Sequence, residues 1–364
     1  MGNTIYPVKA NGKADGCNPR FVKDMAKYDS LVFKQFRRLS IPWKTPRKDK
    51  PFVAPIPYMT LLPNYTAKLR VLVEVGENQP EKLEVCFNKD FFTLTIDKEL
   101  PLTQGMHNLD AAITITCTNY FVKDQIVEVY AIKEIKRDLV GKLIIKANAK
   151  KFHKHLKILL VNVKIGNQRH LMNVETEKKQ LLKFMRQAYI FATFETQDIS
   201  LASESELQSR LKIYYPEKER AFHYLDAVLY KQRPTDYMKH RYNLNYRKIF
   251  LTPILRADNE CGYTSYTTGE AEDIPNEKTF RPSVILSDVA RTTKKLGMPA
   301  SIGSSVMTHE LCHALGLSHT FDDDSQYRFK QYSTDNLMDY YSSESKIRAI
   351  QLYKWQRERL WGLL

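Results

Sequence analysis

Residues 305–319 read Ser-Val-Met-Thr-His-Glu-Leu-Cys-His-Ala-Leu-Gly-Leu-Ser-His and contain H-E-x-x-H-x-x-G-x-x-H without a mismatch. Five fixed positions, each at a few per cent usage, multiply to below roughly one in a million per starting point, so coincidence explains the match poorly. His309 and His313 are four apart, one turn above each other on a helix, where both imidazoles can bind one zinc ion. Met307, Leu311, Leu315 and Leu317 supply apolar packing for that helix. Gly316 permits a left-handed conformation that ends the helix and turns the chain, so that His319 returns as the third ligand. Three neutral nitrogen ligands leave the fourth zinc position to water, the pattern of a catalytic site rather than a structural one. Glu310, next to the first ligand, can reach that water. Zinc lowers the water's pKa toward about 7, and the carboxylate takes the proton and hands it to a leaving amine. Cys312 is rotated away from the His309–His313 face and reads as a packed thiol.

Further along stands Asn336-Leu337-Met338-Asp339-Tyr340. A methionine turn placed after the long histidine motif resembles the metzincin zinc peptidases. Thr320-Phe321 and the Met-Asp-Tyr of the turn look most like their pappalysin-like branch. The resemblance covers about residues 155–364 and is specific only over 305–340. It implies that His309, His313 and His319 bind one zinc ion and that Glu310 is the general base and acid. It implies Met338 as the hydrophobic floor and Tyr340 as a side chain near the zinc or the oxyanion. The fold it implies is a twisted mixed sheet with helices above a cleft, the third histidine and the turn below, and a closing helix over Lys346 to Trp361. An edge strand normally pairs with an extended substrate, and Gly262, Tyr263 and Thr264, continuing into Ser265-Tyr266, are the candidate. Such β-addition favours a protein or peptide substrate over a small ester. The loop after the third histidine, Asp322-Asp323-Asp324-Ser325, is shorter than in that branch and lacks its cysteines. Its aspartates are oxygen ligands of the kind calcium takes, but a solvated acidic loop is the preferred reading and calcium is not indicated.

Working toward the N-terminus, a helix capped by Asn173 is expected from Leu181, Phe184, Met185 and Ala188 at i, i+3, i+4 and i+7. Ile158 to Val163 is a near-continuous apolar run, expected of a strand covered on both faces. Ile249 to Leu255 and Val284 to Leu286 are further strand candidates. Lys150 to His155 reads as a solvated basic linker. Before it the period is two: Leu69, Val71, Val73 and Val75, then Leu83 to Phe87, Phe92 to Ile96, Ile113 to Cys117, Ile126 to Ala131, and Leu143 with Ile145. The expected fold class is therefore α+β, an N-terminal antiparallel β-sandwich over residues 65–150 followed by a metzincin-like zincin catalytic domain over 155–364. The β-sandwich gathers no catalytic residue types and reads as a binding or delivery module. Pro42, Pro46, Pro51, Pro55, Pro57 and Pro63 mark an extended connector or edge segment. With the basic stretch before it, this forms an arm and linker over residues 1–64.

Composition limits the classes. The chain has 364 residues, 43% hydrophobic and 27% charged, which excludes collagen-like, disulfide-scaffold and wholly disordered chains. It contains no run near the roughly 20 apolar residues of a membrane-spanning helix. The start, MGNTIYPVKANGKADG, has no signal-peptide core, and Tyr6 stands where a myristoylation motif has Ser or Thr. A secreted or injected protein would then use a signal-independent route; otherwise the location is cytoplasmic. Cys17, Cys86, Cys117, Cys261 and Cys312 include no CxxC pair and read as buried thiols, with room for one disulfide such as Cys86–Cys117. The net charge is +15, and residues 1–50 carry 12 Lys and Arg against 4 Asp. No RNA-binding or helix-turn-helix pattern accompanies that charge, so no nucleic-acid partner is expected.

The functional expectation is a zinc endopeptidase, with the intact Glu310 and turn favouring it over a non-catalytic binding or adhesion protein with a vestigial zinc site. A C-terminal enzyme behind a β-module and a basic arm also looks like a toxin or effector. Secretion machinery would be its partner through the N-terminal region, since the β-module weakly resembles domains handled by bacterial contractile injection systems. Alternatively residues 1–150 include an inhibitory segment, with Cys17 capping the zinc.

Overall fold

The computed structural model describes residues 34–41, 52–202, 205, 207, 218–241, 246–253, 262–264, 284–286, 306–321, 331, 334–340 and 351–364. The acidic loop Asp322–Asp324, Cys17, Cys261, Ser265 and Tyr266 lie outside these residues. The chain is mixed α+β and strand-rich, with several sheets. It divides into two compact units: the chain up to His153 with Tyr353–Trp355, and Lys154–Leu352 with Gln356–Leu364.

In the first unit β1 (Arg38–Ile41) pairs antiparallel with β2 (Phe52–Pro55). Then come β3 (Tyr58–Met59), β4 (Thr66–Val75), β5 (Lys82–Cys86), β6 (Phe92–Ile96), β7 (Gly105–Cys117), β8 (Gln125–Lys133) and β9 (Lys136–Ile145). They form one sheet in the order β3-β9-β8-β5 and another in the order β4-β7-β6. Alternation sends Ala67, Ile115, Cys117, Val127, Leu143 and Ile145 into one apolar cluster shared by both sheets. The proline-rich stretch contributes to it, because Met59 and Leu61 are buried in the same cluster. Asn148, fully buried, accepts from the Phe121 N–H at 2.8 Å and donates to the Leu61 carbonyl at 2.8 Å. Cys86 and Cys117 are free thiols, so the candidate disulfide is not formed: the Arg137 guanidinium donates to the Cys86 sulfur at 3.0 Å and Cys117 is sealed in the core.

The second unit is built on five strands. They are β10 (Lys154–Ile165), β11 (Ile190–Leu201), β12 (Tyr246–Leu251), β13 (Gly262–Thr264) and β14 (Val284–Leu286), ordered β11-β10-β12-β14-β13. All neighbours are parallel except β13, which runs antiparallel along β14. The basic stretch expected as a linker contains a 3₁₀ turn at Lys150–Phe152, with Lys150 and Lys151 exposed, and β10 begins at Lys154. β10 is interior, and its side chains divide between two cores. Leu156, Ile158 and Leu160 face a cluster with α1 (Val174–Arg186), while Leu159, Val161 and Val163 face one with α2 (Lys218–Gln232) and α3 (Pro234–Arg241). A strand buried on both sides has no polar alternation to keep, which is why its sequence is continuously apolar. Asn173 caps α1 by accepting from the Thr176 N–H at 3.1 Å. The α1 cluster also receives α4 (Val306–Ala314) and α5 (Lys354–Leu363). Of the helix expected over Lys346 to Trp361, residues 346–350 lie outside the described residues, and α5 begins at Lys354. Gln351 is extended, its carbonyl accepting from the Leu337 N–H at 2.8 Å, and the helix cannot begin until that pairing ends.

Candidate metal centre

The α4 helix forms because Met307, Leu311, Cys312 and Ala314 make one buried face, packed toward α1 and the sheet. It ends at Gly316, whose φ of 81° is left-handed. The Leu317 N–H bonds to the Cys312 carbonyl at 2.9 Å and the Gly316 N–H to the His313 carbonyl at 2.8 Å, the paired bonds of a Schellman turn. That turn brings His319 back, and one ring nitrogen from each of His309, His313 and His319 lies within 4.8 Å of the others. Among the described residues this is the one such group of metal-ligating side chains.

Two backbone carbonyls fix which nitrogens converge. A carbonyl only accepts, so His313 Nδ1–H donates to Leu317 O at 2.7 Å and His309 Nδ1–H donates to Leu337 O at 2.8 Å. In the neutral rings that a metal requires, both Nε2 atoms then carry lone pairs, and they stand 3.1 Å apart, with His319 Nε2 3.0 Å from that of His313. Facing lone pairs repel unless a cation lies between them. Ligands about 2.0–2.1 Å from a tetrahedral zinc are separated by about 3.3 Å, close to the spacing seen, so this donor set fits zinc. Burial holds His313 well below the ordinary imidazole range, assisted by the neighbouring His309 and His319, and keeps it in the neutral form a metal requires.

The methionine turn closes the site. Asn336 to Asp339 is a β-turn, with the Asp339 N–H bonded to Asn336 O at 3.1 Å. The Thr320 N–H donates to Met338 O at 3.0 Å, which ties the turn to the residue after the third histidine. Met338 is fully buried in the α4 cluster. Tyr340 is 43% exposed, its ring edge-on to His319 at 4.7 Å. Glu310 is half-buried on α4 beside His309. Gly262, Tyr263 and Thr264 form the antiparallel edge strand β13, whose backbone runs alongside α4. Cys312 is fully buried, and its thiol is pushed far up by desolvation, so it packs and does not ligate.

Sequence reasoning missed several members. Phe321, noticed only as a branch marker, stacks on His319 with centroids 4.7 Å apart and an 11° interplanar angle. The Leu317 and Leu337 carbonyls carry no residue-type signal at all. Glu177 on α1 accepts from the Met307 N–H at 3.1 Å, at the start of α4, and only its place on the apolar stripe above Leu181 could have marked it.

No protein-family model matches this chain, and no curated protein is similar to it in sequence. Among solved structures it is similar to metalloproteinase-II from Bacteroides fragilis, with 11% identity, 66% of this chain and 79% of that one covered, and a TM-score of 0.36. It is also similar to archaemetzincin from Methanopyrus kandleri, with 14% identity, 57% and 95% covered, and a TM-score of 0.32. Likenesses this loose carry no functional argument. The convergent imidazoles do.

Proposed function

We propose that the protein is a zinc-dependent endopeptidase of metzincin type, and the carrying observation is the three converging imidazoles with the tautomers of His309 and His313 fixed by carbonyls. His309, His313 and His319 would hold one zinc ion, which supplies Lewis acidity and lowers the pKa of water at the site. Glu310 accepts a proton there as the nucleophile forms and returns it to the leaving amine. Tyr340, beside His319, offers a hydroxyl to the developing oxyanion. Met338 and Phe321 hold the third histidine from below and from its ring face. The edge strand β13 supports a polypeptide substrate, because its outer backbone groups can add a strand. The Thr320-Phe321 and Met-Asp-Tyr residues support the pappalysin-like branch. On this reading residues 65–150, as a sandwich, bind or deliver, and export as an effector remains part of the same proposal. Incubating the full chain with a mixed peptide library tests the reading. Cleavage that chelator abolishes and added zinc restores, and that Glu310→Gln loses while still binding zinc, is the expected result. Unchanged cleavage by Glu310→Gln would overturn it.

A further inference from the structure

The turn that faces His309 is held by a pair of buried side-chain amides from outside the histidine motif. Asn336 is 1% exposed and Gln356, on α5, is 0% exposed. Asn336 Nδ2–H donates to Gln356 Oε1 at 2.7 Å, and Gln356 Nε2–H donates back to Asn336 Oδ1 at 3.1 Å. The same Asn336 oxygen accepts from the Met338 N–H at 2.8 Å. Between Asn336 and Met338 sits Leu337, and its carbonyl is the acceptor for His309 Nδ1–H at 2.8 Å.

From this continuous chain of contacts we infer that Gln356 is a positioning residue for the metal centre: through Asn336 it fixes the Leu337 carbonyl that sets the His309 tautomer. If the Leu337 peptide rotates, His309 loses its Nδ1 acceptor and the proton can move to Nε2, where it blocks ligation. Outer partners of metal-binding histidines act in this way, and their loss costs 10–100-fold in metal affinity. Removing Gln356 also leaves the Asn336 amide buried and short of a partner, which favours reorganisation of the turn over its retention. The inference rests on the zinc reading above.

The test is zinc affinity by chelator competition on the full chain, with the absorption spectrum of the cobalt-substituted protein as a second readout. Gln356→Met keeps the length and volume of the side chain and removes both hydrogen bonds to Asn336. It should weaken zinc binding about tenfold or more and change the cobalt bands. Arg357→Met alters the next residue of the same helix, whose buried guanidinium donates to the Gln187 carbonyl at 3.1 Å. It should leave zinc affinity and the cobalt spectrum as they are. If Gln356→Met does not fold, Gln356→Asn, one methylene shorter, carries the comparison with the same expectation. Wild-type affinity in a folded Gln356 variant overturns the inference, as does an equal loss in Arg357→Met, which would mark a general effect of α5. If the unaltered chain binds no zinc, or His309→Ala binds it as tightly, the zinc reading itself fails and the inference fails with it.

Discussion

Replacing Glu177 by Gln should make the protein more stable at alkaline pH and leave it nearly unchanged at acid pH. Glu177 is 2% exposed on α1, within the apolar stripe of Leu181, Phe184 and Met185. Burial raises its carboxyl from 4.5 to about 8, with the Met307 N–H pulling weakly the other way. Between those values the folded chain holds a proton that the unfolded chain has released. Stability therefore falls as pH rises from 4.5 to 8. At about 1.4 kcal/mol for each tenfold in proton affinity, the full penalty is about 5 kcal/mol. The positive end of α4 favours the ionised form by about 1–2 kcal/mol, which leaves about 3 kcal/mol. Glutamine keeps an oxygen to accept from Met307 and carries no charge to desolvate. Urea unfolding of both proteins, stripped of metal so that histidine titration is common to the pair, measures the difference. It should grow in favour of Glu177→Gln by about 3 kcal/mol between about pH 5 and pH 9. A difference that stays flat across that range would refute the reasoning.

Two more predictions follow from α4. Gly316→Ala places a Cβ on a backbone at φ 81° and within 3.1 Å of Leu363 Cδ1, so it should cost ~1–2 kcal/mol and lower the melting temperature by several degrees. Mass spectrometry after brief thiol labelling of the native protein should find Cys86, half-buried, modified and Cys312, fully buried, intact. Early labelling of Cys312 would mean that the α4 core opens.

The histidine triad, the capped α1 and the doubly buried β10 were legible because each is written in residue type and spacing. Asn173, the stripe from Leu181 to Ala188, and Gly316 between two of the histidines each have one dominant local explanation. What escaped the sequence depends on pairing at a distance. β7 extends back to Gly105, but residues 105–111 are half-exposed or exposed along the strand, so no inward apolar series announced it. β11 also went unread, since an edge strand half-exposed over much of its length mixes polar and apolar positions. Gln351 falls within the helix expected from sequence, but its carbonyl accepts from the distant Leu337 N–H. Asn336 and Gln356 are common surface residue types, and only folding shows that both are buried and satisfied by each other. The histidine cluster follows the same division. Its three imidazoles are written in the sequence, and the carbonyls and amides packed around them are not.

X-ray absorption at the zinc edge of purified full-length protein tests the central claim most directly. The account predicts one zinc per chain with three imidazole nitrogens at about 2.0–2.1 Å and one further light atom, and loss of that signal in His313→Ala. A protein that binds no zinc, or one whose zinc is held by sulfur or survives His313→Ala unchanged, would contradict it.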